Sequence, residues 1–257
     1  MPPPAAAAAA DSDSDSESGL DIFTEPADFR PPDKPATSVQ HTLVTGAKET
    51  LNLRLIGQSP LWGHLLWNAG RATSEYLERH AADLVHGKTV LELGAGAGLP
   101  SLVCALRGAS KVIATDYPDP DLIANLAANL APAPTATALG YIWGQDPSPL
   151  LQQLPLRSAK FDLLVLSDLL FNHSQHTALA ATVGGTLAAG GTALVFFTPH
   201  RPWLYLRDME FFDVVRAAGM SVRCVLEQKG EPMFEEDPGD REMRRMVFGY
   251  EVRWEEV

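Results

Sequence analysis

Hydrophobic and polar residues alternate along residues 39–57, where the chain has the sequence VQHTLVTGAKETLNLRLIG. A period of two places the apolar side chains on one face of a strand, and Gly46 falls within the alternation. This pattern predicts a β-hairpin that turns near Gly46. After Pro60 the apolar residues recur every three to four positions through LWGHLLWNAGRATSEYLERH, which predicts an amphipathic helix.

Short apolar runs then alternate with helical patterns over most of the remaining chain. Five runs predict strands at residues 89–93, 112–115, 138–143, 163–167 and 193–198. Helical periodicity is found at residues 99–107, 120–130, 176–187 and 204–218. Strands that alternate with helices are typical of a parallel sheet that is covered by helices on both faces.

The last part of the chain departs from this alternation. Two strand-like runs, SVRCVLEQKG and RRMVFGYEVRW, are joined by the acidic, turn-rich link EPMFEEDPGDRE, with no helix predicted between them. We therefore expect a C-terminal β-hairpin that adds an antiparallel strand to the sheet. The predicted fold class is α/β, with a seven-stranded, mostly parallel sheet, helices on both faces and an N-terminal β-hairpin extension.

The beginning of the chain differs in composition from the rest. Residues 1–19 combine a Pro/Ala run with alternating acidic residues and serines, so they have too little apolar surface to bury and are expected to be disordered. Residues 20–37 are Pro-rich and are predicted to be extended. We expect the compact domain to cover residues 38–257.

The net charge restricts the class of partner. The chain of 257 residues has a formal net charge of −12, which argues against the broad basic surface that nucleic-acid binding requires. An acidic protein is better suited to basic partners.

The composition also bears on the compartment. No apolar run approaches the length of about 18 residues that suggests a membrane span, and the N-terminus lacks the basic and apolar regions of a secretory signal. We expect a cytoplasmic protein, with the nucleus as an alternative. Cys104 and Cys224 lie in apolar segments outside any CxxC pair, so we expect both to be buried free thiols.

A glycine-rich turn follows the first predicted strand of the sheet, in the sequence VLELGAGAGLP at residues 90–100. Its glycines allow a cofactor to approach the backbone closely. The dinucleotide fingerprint G-x-G-x-x-G is not met, because its last position is Leu99 or Ser101, and the phosphate-loop motif is also missing. Glu92 precedes the first glycine by two residues and would repel a pyrophosphate. The turn therefore suits a cationic cofactor without phosphates, such as S-adenosylmethionine.

Further candidates follow other predicted strands, at the sheet edge where ligands of open α/β folds bind. Asp116 ends the second strand and can accept hydrogen bonds from ribose hydroxyls, or it can cap the next helix. Trp143 ends the third strand, where it can lie against an adenine or pack in the core. Ser167, Asp168 and Phe171 lie at the end of the fourth strand.

Two histidines and one cysteine suggest other chemistry. His173 and His176 have a helical spacing, but no carboxylate or cysteine nearby completes a ligand set with them, so we expect no metal site. Cys104 has no neighbouring base in the sequence, and we expect it to belong to the core.

These features together resemble a known enzyme superfamily. The motif E-x-G-x-G-x-G, the acid that ends the second strand and the terminal hairpin are similar to class I S-adenosylmethionine-dependent methyltransferases. Within that superfamily, the resemblance is to the fungal protein N-terminal and lysine methyltransferases of elongation factor 1-alpha. The segments that carry it are FTEPADFRPP, SPLWGHLLWNAG, VLELGAGAGLPS, TDYPDPDLIANLAANL and SDLLFNHSQH. The resemblance extends from about residue 22 to the C-terminus and does not include the acidic start of the chain.

The resemblance implies a Rossmann-like methyltransferase fold and S-adenosylmethionine as the cofactor. It implies methylation of the N-terminal glycine and the adjacent lysine of elongation factor 1-alpha. From the composition we expect no nucleic-acid or membrane partner, and we expect a monomer. The cofactor pocket that it implies consists of Trp67, Gly94, Ala95, Gly96, Asp116, Trp143 and Ser167.

The resemblance also implies catalytic roles for Asp168 and Phe171, which match the D-x-x-[FY] motif of related protein-lysine methyltransferases. Asp168 would orient the incoming ammonium group, although a helix cap or a surface carboxylate is the alternative interpretation. Trp67 would cover the cofactor as a lid, with packing in the core as its alternative.

Other functions stay open on the sequence alone. A small-molecule N-methyltransferase, for example one acting on nicotinamide, would need a closed apolar pocket, whereas a protein terminus needs an open channel. A non-enzymatic binding protein is disfavoured by the intact glycine motif and by Asp116. A dinucleotide oxidoreductase is disfavoured by the departure from the dinucleotide fingerprint.

Overall fold

The structure is a computed structural model that describes residues 35–46, 49–57, 63–156 and 158–255. The predicted acidic tail and most of the predicted Pro-rich segment lie outside the described residues. The boundaries predicted for these segments and for the compact domain therefore stay predictions.

The N-terminal extension is a separate two-stranded sheet. Strand β1 (Thr37–Thr42) pairs antiparallel with strand β2 (Thr50–Leu55), and Gly46 lies between them with a φ of 73°. Alternate residues of β2 are buried, which is the pattern expected of a strand with one face on the core. The predicted N-terminal hairpin is confirmed.

The main sheet has seven strands, in the spatial order β5-β4-β3-β6-β7-β9-β8. These strands are β3 (Thr89–Leu93), β4 (Lys111–Asp116), β5 (Ala136–Gly140), β6 (Phe161–Ser167), β7 (Leu187–Phe197), β8 (Met220–Lys229) and β9 (Met246–Trp254). Strands β3 to β7 are parallel, and β9 runs antiparallel to both β7 and β8. The predicted α/β fold with its C-terminal antiparallel hairpin is confirmed.

Helices cover both faces of this sheet. They are α1 (Asn68–Arg79), α2 (Ala81–Leu84), α3 (Leu99–Leu106), α4 (Pro120–Leu130), α5 (Ser148–Leu151), α6 (His176–Thr186), α7 (Tyr205–Ala217) and α8 (Arg241–Arg244). One hydrophobic core joins the N-terminal hairpin to α1, α3 and α4, and a second core lies under α5, α6 and α7. In the described ranges, no helix combines the length and the apolar character that crossing a membrane requires.

The central strand explains why the two cores are separated. All five residues of β3 are buried, so the strand has no solvent-facing side. Val90 belongs to the core under α1 and α3, and its neighbour Leu91 belongs to the core under α6 and α7. A continuous apolar run is expected of a parallel strand that is covered on both faces.

Several predicted boundaries differ from the structure, and two of them affect residues near the site. The helix predicted after Pro60 begins at Asn68, because Trp67 has an extended backbone with a φ of −70° and a ψ of 151°. The strand predicted to reach Trp143 ends at Gly140. Beyond it the chain turns back, since the Gln145 N–H donates to the Ile142 carbonyl and Gly144 has a φ of 81°. Trp143 therefore lies in a turn after the strand.

The two cysteines have different environments. Cys104 is buried in α3, as predicted, and burial raises the pKa of its thiol. Cys224 is exposed, so the prediction that it is buried is wrong. It lies on β8, which is an edge strand, next to a register shift between Cys224 and Leu226. An apolar sequence around a cysteine does not by itself distinguish an edge strand from a central one.

Candidate active site

A cavity of about 640 Å³ lies at the carboxyl edge of the parallel strands. The turn after β3, the end of β4 and the end of β6 all contribute to its wall. Every residue that the sequence analysis selected for the cofactor or for catalysis lines this cavity. They are Trp67, Gly94, Ala95, Gly96, Asp116, Trp143, Ser167, Asp168 and Phe171.

The glycine turn after β3 leaves its backbone accessible from the cavity. Gly94, Gly96 and Gly98 all have positive φ values, of 62°, 53° and 77°. A Cβ atom on Gly94 would lie 2.5 Å from a side-chain carbon of Leu169, and one on Gly98 would lie 2.5 Å from a side-chain carbon of Leu126. A Cβ atom on Gly96 would meet no atom within 4 Å. The outer glycines thus permit close packing, and Gly96 is open to a ligand.

Asp116 holds this turn from the end of β4. One carboxylate oxygen accepts a hydrogen bond from the Gly96 N–H at 2.7 Å, and the other accepts one from the Tyr117 N–H at 2.7 Å. Burial raises the pKa of Asp116, although these hydrogen bonds act in the opposite direction. The cap of α4 is Asp119, whose side chain accepts from the N–H groups of Asp121 and Leu122. The helix-cap interpretation of Asp116 is therefore wrong.

Glu92 is buried on the central strand and also lines the cavity. One oxygen accepts hydrogen bonds from the Ser101 N–H at 3.0 Å and from the Ser101 hydroxyl at 2.5 Å. Burial raises the pKa of Glu92 to about 8 despite both hydrogen bonds. A cation in the cavity would favour the ionised form of this carboxyl group.

The charges of the cavity indicate which cofactor it fits. Among the described residues that line it, Glu92, Asp116 and Asp168 are acidic, and none is a lysine or an arginine. A dinucleotide needs donors or cations for its pyrophosphate. A ligand with a positively charged sulfonium and no phosphate meets a complementary field here, and the bare backbone at Gly96 gives it room. The residues present therefore fit S-adenosylmethionine.

Three other predicted residues connect the cavity to the surrounding structure. Trp143 packs on the core under α6, as its core interpretation predicts, and it also faces Gly94 in the cavity. The contact with an adenine stays a prediction. The Ser167 hydroxyl donates to the Thr73 hydroxyl of α1 at 2.9 Å. Phe171 is 37% exposed, which leaves its ring accessible at the mouth of the cavity.

A second cavity, of about 400 Å³, adjoins the first. Both cavities are lined by Trp67, Asp168 and Phe171. The second cavity is completed by His200, Arg201, Phe234 and Asp237. Its three aromatic rings and two carboxylates suit a cationic group, since ring faces and carboxylates both attract positive charge. The guanidinium of Arg201 donates to the Phe171 carbonyl at 2.8 Å.

Asp168 lies where the two cavities meet, and it is buried rather than on the surface. Its backbone has a φ of 63°, an uncommon value for a residue other than glycine. One carboxylate oxygen accepts from the Thr198 N–H at 3.1 Å, and the other lies 2.9 Å from Nε2 of His200. The surface and helix-cap interpretations of Asp168 are therefore wrong.

Trp67, directly before α1, lines both cavities. Its ring meets the His200 ring edge-on at a centroid distance of 4.8 Å and the Phe234 ring at 6.2 Å. These contacts place it beside both cavities, whereas the buried residues of α1 form the core.

The sequence analysis did not select His200, Phe234 or Asp237. His200 follows β7 by three residues, at the same carboxyl edge as Asp116 and Asp168, and that position was the available signal. Phe234 and Asp237 belong to the connection between β8 and β9, which gives no local indication of a site.

The histidine pair considered for a metal has other partners. Nε2 of His173 lies 2.7 Å from a carboxylate oxygen of Asp208, and Nε2 of His176 lies 2.8 Å from the Leu170 carbonyl. Within the described part of the chain, no group of three or more histidine, cysteine or acidic residues is arranged to hold a metal ion.

Comparison with known proteins places this site in a family. A family model described as "Lysine methyltransferase" matches residues 48–218, which is more than half of the chain. The chain belongs to the lysine methyltransferase family. The matched residues include the glycine turn, Asp116 and the Asp168 segment, and S-adenosylmethionine is the cofactor of this methyltransferase.

Curated relatives of this methyltransferase extend over nearly its whole length. The "Protein N-terminal and lysine N-methyltransferase efm7" of Emericella nidulans is 43% identical over 250 residues, which cover 92% of this chain and 96% of the relative. The protein of the same name from Schizosaccharomyces pombe is 44% identical over 243 residues, which cover 91% and 95% of the two chains.

Solved structures share the fold at lower identity. TYW2 of Pyrococcus horikoshii in complex with MeSAdo matches with a TM-score of 0.54 and 16% identity, over 88% of this methyltransferase and 74% of that chain. The 16S rRNA methyltransferase RsmC of T. thermophilus, in complex with AdoMet and guanosine, has the same TM-score and identity, over 88% and 53% of the two chains. At this identity the likeness shows the fold alone.

Proposed function

We propose that this enzyme methylates the N-terminal α-amine and the adjacent lysine of elongation factor 1-alpha. The observation that carries the proposal is the second cavity, in which aromatic rings and carboxylates lie directly beside the cofactor cavity. A protonated amine matches that lining. The names of the curated relatives, which include N-terminal and lysine methylation, support the same substrate class.

The charge of the whole chain supports a basic protein substrate. The formal net charge is −12, so a lysine-rich terminus would be attracted over a longer range than the cavity itself. The elongation factor as the particular substrate rests on the resemblance of the sequence segments described above. We also propose that the enzyme acts on it as a monomer in the cytoplasm, in keeping with the expectations from the sequence.

We assign the cofactor to the first cavity and the amine to the second. Gly94, Ala95 and Gly96 would provide the backbone surface for the cofactor, Asp116 would accept hydrogen bonds from its ribose, and Trp143 would cover its adenine. Trp67 and Ser167 complete that cavity. Bound S-adenosylmethionine supplies an electrophilic methyl group on its sulfonium.

Asp168 and Phe171 would receive the amine where the two cavities meet. The Asp168 carboxylate attracts the ammonium group and fixes its direction through a charge-assisted hydrogen bond. The Phe171 ring, which is partly exposed, can cover the cation from the solvent side. Only a neutral amine has a lone pair for methyl transfer, so the site must also lose a proton.

The small-molecule alternative fits the second cavity less well. A neutral pyridine nitrogen such as that of nicotinamide needs a closed, apolar pocket. Here Asp168, Asp237 and Arg201 bring charge to the lining, and Phe171 leaves its mouth accessible. The two carboxylates outnumber the one guanidinium, so the net charge of the lining favours a cationic amine at the end of a flexible chain.

We expect Asp116→Ala to lower the affinity for S-adenosylmethionine at least tenfold, as measured by isothermal titration calorimetry. Hydrogen bonds to a charged acceptor contribute about 1.5–3 kcal/mol, and the substitution removes that acceptor. Asp119→Ala is the matched control, since it removes the nearby helix cap and should cost about 1 kcal/mol of stability without changing the affinity. Equal affinities for wild type and Asp116→Ala would show that Asp116 does not bind the cofactor.

A peptide assay tests the substrate. With S-adenosylmethionine, the enzyme should methylate a peptide with the Gly-Lys terminus of elongation factor 1-alpha, and mass spectrometry should locate the methyl groups. The α-amine, whose usual pKa is about 8, is neutral more often at pH 7.4 than a lysine amine with a pKa of about 10.4. The rate of lysine methylation should therefore rise more steeply with pH than the rate of α-amine methylation. Ready methylation of nicotinamide with no modification of the peptide would contradict the proposed function.

A further inference from the structure

The ring of His200 lies on the wall of the second cavity and is held there by two contacts. Nε2 lies 2.9 Å from a carboxylate oxygen of Asp168, and the ring meets Trp67 edge-on. The side chain is 19% exposed, so it borders the cavity without extending into bulk solvent. A histidine fixed in this way has little freedom to turn away from a bound amine.

The partner of Nε2 decides which ring nitrogen can accept a proton. The Asp168 carboxylate is an acceptor, so in the neutral ring the hydrogen is on Nε2 and the lone pair is on Nδ1. Among the described residues, none forms a hydrogen bond with Nδ1. The Asp168 carboxylate is itself held by the Thr198 N–H, which fixes the pair against the end of β7.

We propose that His200, oriented by Asp168, accepts the proton of the substrate ammonium and so makes the amine nucleophilic. This inference rests on the proposed function, since it needs an amine in the second cavity. The ammonium N–H bond breaks, an Nδ1–H bond forms on His200, and the electron pair remains on the amine nitrogen. His200 later returns the proton to solvent through the open side of the cavity.

The charged groups around His200 suit this role. Asp168 and Asp237 face it in the cavity, Asp208 contributes its charge from α7, and Arg201 follows it in the chain. Burial disfavours the imidazolium, but the carboxylates outweigh burial and raise the pKa of His200 above its usual 6.5. A base is most effective when its pKa lies near the working pH. Below the raised pKa, His200 is already protonated and cannot accept a proton, so kcat should fall as the pH decreases through it.

A second histidine provides a matched control. His173 pairs with Asp208 through Nε2 at 2.7 Å, and its side chain is 15% exposed. Its pairing with a carboxylate and its exposure resemble those of His200, but it is not among the residues that line either cavity. Any effect of losing a histidine–carboxylate pair as such should appear at both positions.

The test compares His200→Gln and His173→Gln with wild type in the peptide assay from about pH 6.5 to about pH 9.5, a range that extends about 1.5 units on either side of the α-amine pKa of about 8. We expect His200→Gln to lower kcat by about 100-fold at pH 7, the scale of a lost general base. The KM for the peptide and the affinity for S-adenosylmethionine should change by less than about threefold, on the scale of a lost rim contact. The loss should shrink as the pH rises, because more of the substrate amine is then neutral without the help of a base. His173→Gln should keep the wild-type kcat and pH profile.

Imidazole provides an independent measurement. In His200→Ala, added imidazole should restore part of the lost kcat, because the substitution leaves space for it beside Asp168. If His200 had only a structural role, added imidazole would not restore the kcat of His200→Ala. Melting temperatures and cofactor affinities show that each variant is folded, and His200→Asn replaces any variant that is not.

The outcomes separate this inference from the proposed function. If wild type methylates the peptide and His200→Gln keeps its kcat and pH profile, His200 is not the base, and the proposed function stands. A loss of kcat that is equal at every pH and does not respond to imidazole would also overturn the inference. A wild-type enzyme that leaves the peptide unmodified would overturn both.

Discussion

Replacing Gly96 with leucine is expected to abolish binding of S-adenosylmethionine while the protein remains folded. Gly96 has a φ of 53°, and a Cβ atom added there would meet no protein atom within 4 Å. A leucine side chain would therefore enter the cavity where the cofactor is expected, without a clash in the protein itself. The left-handed backbone would cost about 1–2 kcal/mol of stability. Isothermal titration calorimetry should detect no binding, and a melting curve should still show a cooperative transition.

Gly219 provides the control for backbone strain. It follows α7 with a φ of 84°, and a Cβ atom there would also meet no atom within 4 Å. Gly219 does not line either cavity. Gly219→Leu should therefore lose a similar amount of stability and keep the cofactor affinity of wild type. If Gly96→Leu binds S-adenosylmethionine as well as Gly219→Leu does, the glycine turn is not part of the cofactor site.

The cofactor half of the site could be predicted from the sequence because its residues are encoded locally. The glycine turn, Asp116 and Ser167 each directly follow or end a buried strand. Parallel strands bring their carboxyl ends to one edge of the sheet, so a list of strand ends is also a list of neighbours in space. Periodicity alone is sufficient to find strands that are apolar throughout, such as β3.

The amine half could not be predicted in the same way, because its residues meet through long-range contacts. His200 and Asp168 are separated by 32 positions, and Phe234 is on the connection of the C-terminal hairpin. The sequence marks that connection only as an acidic, turn-rich link. The sequence left a surface carboxylate open as an interpretation of Asp168, because the contacts of its buried side chain are with Thr198 and His200, which no local pattern connects to it.

Two other incorrect predictions, the end of the third strand and the burial of Cys224, have a similar origin. The turn that contains Trp143 depends on a bond from the Gly144 N–H to the Thr182 hydroxyl of α6, and such a tertiary contact leaves no trace in local periodicity. The exposure of Cys224 depends on its being on an edge strand, and strand order is set by topology rather than by composition.

Glu78 connects three elements of the fold through hydrogen bonds of its side chain. Its side chain is buried in α1, where one oxygen accepts from the N–H groups of Val44 and Thr45 at 3.0 and 3.1 Å. The same oxygen accepts from the guanidinium of Arg107, after α3, at 2.9 Å. Arg107 also donates to the Thr45 carbonyl at 2.8 Å. The N-terminal hairpin is thus tied to α1 and α3 through one carboxylate.

Glu78→Ala is expected to lower the free energy of unfolding by about 3–5 kcal/mol, the usual cost of removing one partner of a buried ion pair. The substitution leaves a cation and two N–H groups without their acceptor in a region of low exposure. Urea denaturation at pH 7 measures the change. Glu75→Ala is the control on the same helix, because the pair of Glu75 with Arg79 is more exposed and should contribute less than about 0.5 kcal/mol.

The effect of Glu78 should depend on pH in a defined direction. Burial disfavours the Glu78 carboxylate, but the hydrogen bonds from Arg107 and Thr45 outweigh burial, and the pKa of Glu78 is lowered from its usual 4.5. A carboxyl group with a lowered pKa stabilises the fold above its unfolded pKa, and that contribution is lost as the pH falls through the folded pKa. The difference in stability between wild type and Glu78→Gln should therefore be constant between about pH 6 and about pH 8, well above the ordinary glutamate pKa, and it should shrink below about pH 4. A difference that grows on acidification would mean that the protonated carboxyl group, rather than the ion pair with Arg107, stabilises this junction.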